Sequence, residues 1–214
     1  MIRAFFLWVL LSGLALGNNN AVCLIRTEPD VERKGSSTGS GFFISKNTLL
    51  TAYHVVDDSI IQPRKMRVEH NGVIHSAKVK DYDENKDIAL VEIDGEVNSK
   101  DIAIIDSIEP RSGMLMYNAG HPGSMWDVYK AWGKYTKTSF TSFEDSDGKR
   151  LPHCLVYVSD LNIRYGMSGG PLINPETNKV AGLLIRKHNY DNKTYNLSLK
   201  EIQNFLKKAL TTDK

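Results

Sequence analysis

The chain has little cysteine: only Cys23 and Cys154 occur in 214 residues. There is no Cys-x-x-Cys and no His-x-x-x-His pair, so spacing gives no support to a metal site. An exported protein could oxidise the pair, provided the two Cα atoms come within roughly 7 Å. Two small buried thiols are the simpler reading. Charge of one sign is also lacking. The 27 basic and 25 acidic residues leave a net charge of +2, too even to argue for nucleic acid. No internal repeat is present, and no low-complexity tract beyond Asn18-Asn19-Asn20. No apolar run is long enough to span a membrane comfortably. What remains is a globular balance, with 41% hydrophobic and 24% charged residues. The length allows one domain, or one double-barrel unit with a single cleft.

The N-terminus reads as a targeting segment over residues 1–17. Arg3 precedes an apolar run from Ala4 to Leu11, continued by Gly13 to Leu16. Ala15-Leu16-Gly17 places small residues where a signal peptidase reads, which predicts cleavage before Asn18. An uncleaved anchor is the alternative. Cys23 follows Asn20-Ala21-Val22 and lacks the small residues expected before a lipidated cysteine. The expected location is extracytoplasmic, secreted or periplasmic, with no membrane contact after cleavage. Without Arg3 the mature net charge is +1, from 26 basic and 25 acidic residues.

One stretch carries chemistry: Tyr165-Gly166-Met167-Ser168-Gly169-Gly170-Pro171-Leu172. A serine hydroxyl needs a base to take its proton and donors to hold the oxyanion it creates. Glycines let the backbone bend until two N–H groups point into one space. The natural pair is Gly166 and Ser168. Taken alone, the stretch also reads as a Gly-rich turn, so a base and an orienting group must come from elsewhere. Upstream stand Gly39-Ser40-Gly41-Phe42-Phe43-Ile44, then Leu49-Leu50-Thr51-Ala52-Tyr53-His54-Val55-Val56, then Asn85-Lys86-Asp87-Ile88-Ala89-Leu90-Val91. An apolar strand ends just before His54, which suits a rigidly held base. Asp87 opens an apolar strand and can be buried, unlike its rivals Asp57, Asp58, Asp81 and Asp83.

These blocks, in the order His, Asp, Ser, resemble the trypsin-like serine peptidases of the chymotrypsin fold. The likeness is strongest to the bacterial HtrA/Deg type and runs from about Ala21 to Asn204. Gly120-His121-Pro122-Gly123 is a further shared pattern. The resemblance implies a triad of His54, Asp87 and Ser168, with Gly166 and Ser168 N–H groups as the oxyanion hole. It implies no cofactor. It also implies an extended polypeptide substrate added as a strand along Leu184 to Arg186. Two departures matter. Position 167 is Met, where digestive enzymes carry the Asp that pairs with a new N-terminus, so that activation route is not expected. Only 46 residues follow Ser168, all needed for the last strands and helix, so no PDZ domain is expected. Oligomeric state is not fixed by any of this. A catalytically silent binding module on the same fold is the rival function.

Alternation and turn signals give an all-β chain with a C-terminal helix. Strands are expected over 21–27, 40–45, 48–52, 66–70, 73–82, 88–93, 114–119, 129–143, 154–158, 179–186 and 194–197, and the chain re-enters a strand at Pro171-Leu172. A short helical turn is expected at 55–58. Asn71-Gly72 marks a hairpin. Ser198-Leu199-Lys200-Glu201 reads as a capping box, with Ile202, Phe205, Leu206 and Leu210 on one face of a helix over about 199–210. Periodicity alone says sandwich or barrel. The resemblance implies two six-stranded antiparallel β-barrels, the first over about 21–95 and the second over about 112–197.

By the same resemblance, Asn162 and Ile163 on one side, and Leu184 and Ile185 on the other, line the primary pocket. Asn162 stands where a trypsin-like enzyme places Asp. The walls read as apolar. Arg186, Lys187 and His188 could attract an acidic residue, but long basic side chains at a strand end more often snorkel to solvent, and a substrate Glu would need a buried partner that Ile163 does not supply. The expected residue before the cut is therefore Val, Ala or Leu, with Glu second.

Overall fold

Stretches of alternating and β-branched residues form twelve strands in the computed structural model, which describes residues 18–28, 37–61, 65–141, 154–187 and 193–212. The segment over 1–17, His153, His188 and the Asn189–Asn192 turn lie outside the described residues. A 3-10 turn at Asn18–Ala21 leads into β1 (Val22–Thr27), β2 (Thr38–Phe43) and β3 (Thr48–Thr51). Helix α1 (Tyr53–Ile61) follows, then β4 (Met66–His70), β5 (Val73–Asp83) and β6 (Ile88–Ile93). The second half holds β7 (Leu115–Gly120), β8 (Tyr129–Thr141), β9 (Cys154–Ser159), β10 (Pro171–Asn174), β11 (Lys179–Lys187) and β12 (Thr194–Ser198). Helix α2 (Leu199–Thr212) ends it.

The strands close into two antiparallel barrels, in the orders β1-β2-β3-β6-β5-β4 and β10-β11-β12-β9-β8-β7. Closure leaves neither sheet an unpaired edge. The inward residues supply the core. In the first barrel these include Ile25, Phe42, Leu50, Val68 and Val91, all buried. In the second, Met116, Tyr157, Leu172 and Leu184 belong to one cluster. Cys23 and Cys154 are separate buried thiols, on β1 and β9. Burial, and secondarily the Glu201 carboxylate, pushes the Cys154 thiol up to about 12.

Two elements differ from the sequence reading. The helical turn after His54 is a nine-residue helix. Val55 and Val56 are poor helix formers, yet both are buried against the first barrel, and that packing overrides propensity. The α2 capping box is half made. The Glu201 N–H donates to Ser198 Oγ at 3.4 Å. The Glu201 side chain, however, turns away to accept from the Leu155 N–H at 3.3 Å and to pair with Lys86 at 2.7 Å. Ile202 and Phe205 are buried as the helical face requires, and Leu206 is partly so.

Glu201 thus ties α2 to β9 in one barrel and to the segment before β6 in the other. Among the described residues, no helix is long and apolar enough to cross a membrane. Replacing Glu201 by Ala leaves the Leu155 N–H without its partner and should destabilise the fold by about 1–3 kcal/mol. Urea unfolding followed by tryptophan fluorescence measures this, and an unchanged midpoint would contradict it.

Candidate active site

A helix begins with backbone N–H groups that lack partners, and its start favours negative charge. Ala52, just ahead of α1, has no side-chain acceptor to offer. Asp87 supplies one from 33 residues further along: its Oδ1 accepts the His54 backbone N–H at 3.0 Å. The same carboxylate meets the imidazole, with His54 Nδ1 at 2.8 Å from Oδ2 and 3.0 Å from Oδ1. Nδ1 carries the proton in this contact, because a carboxylate only accepts. Nε2 is then left with its lone pair.

Asp87 follows a 3-10 turn at Glu84–Lys86 and adopts a left-handed backbone, φ 52° and ψ 48°. Its N–H returns to Glu84 O at 3.3 Å. Aspartate tolerates this conformation better than most side chains. The sequence reading placed Asp87 at the head of a strand. The structure places it one residue earlier, in the turn, and this aims the carboxylate across at α1. Asp87 is only 9% exposed. Asp57 is occupied otherwise, accepting the Asp58 N–H at 2.6 Å.

Partial burial pulls the imidazole's pKa down. The Asp87 charge and hydrogen bond, helped by Asp57, push it up against the opposing charge of Arg186. Since 44% of the His54 side chain stays open, desolvation is incomplete, and the net direction is above the ordinary imidazole value.

The serine loop is seated on the same wall. Ser40 N–H on β2 donates to Ser168 O at 2.8 Å. Thr51 Oγ1, at the end of β3, donates to Ser40 O at 2.7 Å. Gly169, at φ +82°, lies so close that a Cβ there would fall on Ser40 O and Thr51 Oγ1. Ser168 therefore stands beside the strand end that runs on into His54. Behind it, Gly169 N–H donates to Leu184 O at 2.7 Å, and Leu184 N–H donates to Gly170 O at 2.9 Å.

Two contacts orient the peptide ahead of the serine. Gly123 N–H donates to Tyr165 O at 2.8 Å. In a trans peptide the carbonyl and the following N–H point opposite ways. Holding Tyr165 O thus aims the Gly166 N–H away from Gly123. Ser40 Oγ then bridges the barrels, donating to Gly166 O at 2.8 Å and accepting from His121 N–H at 2.8 Å. In the sequence, Gly39-Ser40-Gly41 and Gly120-His121-Pro122-Gly123 stand out as motifs, but neither shows a role there. Both blocks exist to hold the serine loop. Their signal was the pairing of Gly-rich turns far apart in the chain.

The family model of the trypsin-like peptidase domain matches residues 39–183. This chain belongs to the trypsin-like peptidase family. Serine protease HTRA1B of Danio rerio is 33% identical over 144 residues, covering 64% of this chain and 28% of that protein. Serine protease HTRA1 of Xenopus laevis is 32% identical over 158 residues, covering 71% of this chain and 32% of that protein. The chain thus spans about a third or less of the length of these curated relatives. Among solved structures, the active form of the Rv3671c protease from M. tuberculosis matches with a TM-score of 0.78 and 21% identity. The match covers 90% of this chain and 82% of that one. That likeness shows the fold.

The residues expected to line the pocket divide. Ile163 and Leu184 are buried in one cluster with Leu161 and Met167. Met167 therefore sits where a charged side chain would be stranded without water. Ile185 instead joins the cluster shared by the first barrel and α2, because successive strand residues point to opposite faces. Asn162 is exposed and forms no buried pocket floor. Arg186 is half-buried and near enough to His54 for its charge to be felt. Lys187 does not snorkel: its Nζ donates to Ile163 O at 3.4 Å.

Replacing Ser40 by Ala removes one hydroxyl and leaves both Gly166 O and His121 N–H unpartnered. The expected cost is about 1–3 kcal/mol of stability. The same change should slow labelling of Ser168 by a fluorophosphonate probe in protein that is still folded. Labelling at the parental rate in folded Ser40→Ala protein would show that the bridge does not shape the serine loop.

Proposed function

We propose that this chain is an exported serine endopeptidase in which His54, Asp87 and Ser168 act as a catalytic triad. The observation that carries the reading is the Asp87 carboxylate. It holds both the backbone and the ring of His54 beside the strand end on which the Ser168 loop rests. His54 Nε2 takes the proton from Ser168 Oγ as that oxygen attacks the peptide carbonyl. Asp87 keeps the Nδ1–H tautomer and stabilises the imidazolium. The N–H groups of Gly166 and Ser168 receive the oxyanion. His54 then hands its proton to the leaving amine, and water hydrolyses the acyl-enzyme by the reverse path. The substrate lies extended along β11, at Leu184 to Arg186, where the ladder toward the serine loop ends.

Ser168→Ala should leave the fold intact and cost at least about 10³-fold in peptide hydrolysis. It should also abolish fluorophosphonate labelling, and labelling retained in this variant would remove Ser168 from its role.

The base must be neutral to accept a proton. Since His54 is raised, kcat/KM should climb with pH through a midpoint above the usual imidazole value. Asp87→Asn removes the charge that raises it. Its midpoint should move down while the rate drops roughly 10⁴-fold, the size of effect when a triad carboxylate is neutralised. An unmoved midpoint would mean that another group titrates.

Export is read from Ala15-Leu16-Gly17. N-terminal sequencing of protein recovered outside the cytoplasm should begin near Asn18. Met1 on membrane-bound protein would establish an anchor in its place.

A further inference from the structure

A single irregularity in β11 decides which side chains face the primary pocket. The β11–β12 ladder runs Leu183↔Leu197 and Leu184↔Asn196, then skips to Arg186↔Tyr195 and Lys187↔Thr194. Ile185 is the extra residue of a β-bulge. Paired residues in an antiparallel ladder share a face, and so do residues two apart in a regular strand. Asn196 and Thr194 mark one face of β12. The bulge therefore brings Lys187 onto the face of Leu184. In an unbroken strand Arg186 would hold that place, and Lys187 would point the other way.

This face looks toward residues 161–163. Leu184 packs in one buried cluster with Leu161 and Ile163. Thr194 Oγ1 donates to Leu161 O at 2.8 Å. Half-buried Lys187 reaches the same segment, donating from Nζ to Ile163 O at 3.4 Å. Its ammonium thus bridges β11 and the segment over 161–163, beside the cluster of Leu161, Ile163 and Leu184.

An ammonium has three donors, and one is used on Ile163. Among the described residues that partner is a carbonyl oxygen, which fixes the position of the charge without neutralising it. An apolar substrate side chain would cover this charge and leave it unpaired, which is costly. A substrate Lys or Arg would be repelled. Among the described residues no carboxylate pairs with this ammonium, and a substrate carboxylate would gain charge-assisted hydrogen bonds from it.

We propose that Lys187 makes the primary pocket select an acidic residue, Glu or Asp, on the acyl side of the cleaved bond. The inference rests on the serine-peptidase reading. It reverses the apolar preference expected from sequence, because half-buried Lys187 supplies a partner for a substrate carboxylate that Ile163 does not.

Two measurements test it separately from catalysis. A peptide-library digest read by mass spectrometry should show cleavage mainly after Glu and Asp. In Lys187→Met, kcat/KM for Glu substrates should fall roughly ten- to hundredfold, the scale of one charged hydrogen-bonded contact. Cleavage after Val or Leu should rise in relative terms. Dominant cleavage after apolar residues by the parent, or an unchanged preference in Lys187→Met, overturns the proposal. The second measurement uses Ser168→Ala protein, which cannot turn over. Calorimetry should show peptides ending in Glu binding at least tenfold tighter than their Gln counterparts, with the difference lost in Ser168→Ala/Lys187→Met. Equal binding of the two overturns the proposal even if the parent is an active peptidase. Tighter Glu binding by a protein that no fluorophosphonate labels upholds the acidic site and defeats the peptidase reading.

Discussion

Each barrel closes on itself, so neither offers the other a free sheet edge. What joins them at the site is a small set of hydrogen bonds centred on Ser40. Its backbone N–H holds Ser168 O, its carbonyl receives Thr51 Oγ1, and its hydroxyl links His121 N–H to Gly166 O. One β2 residue thereby sets the serine loop against the strand end that leads to His54. A hydroxyl suits the place because it donates and accepts at once. The glycines around it permit approaches that any side chain would block, as the positions of Gly169 and Gly120 show.

The Asp87 carboxylate imposes a second constraint. It caps α1 from outside the helix and orients the ring on the first turn of that same helix. The N–H left unpartnered at the helix start is met by the same group that raises the His54 pKa. Arg26 adds a further link between the halves. It pairs with buried Glu69 at 3.1 Å and donates to Ser124 O at 3.3 Å, in the turn that also carries Gly123. The turn that fixes Tyr165 O is therefore itself fixed to the first barrel.

Much of this was legible in sequence. The strands from Met66 to Ile93 were bounded to within a residue, since alternation and Asn71-Gly72 state them locally. His54 and Ser168 lie in short local patterns, and Asp87 stands out from its rivals because an apolar strand follows it. Helix α1 was underestimated for a physical reason. Its start is capped by a residue 33 positions away and its valines are held by the barrel, and neither fact is local. The side chain of Glu201 was misread likewise, since its partners Leu155 and Lys86 are distant in sequence.

Sequence by itself determined the strands, the order of His, Asp and Ser, and the glycines that a tight loop requires. These follow from period-two alternation and from backbone sterics, which act over a few residues. Tertiary structure alone decided where Lys187 lies. A strand's faces follow from counting only while its register is unbroken, and the bulge at Ile185 changes the count by one. That shift is fixed by how β11 meets β12 and the serine loop together. It turns Lys187 toward Ile163, and no pattern within Leu184-Ile185-Arg186-Lys187 announces it.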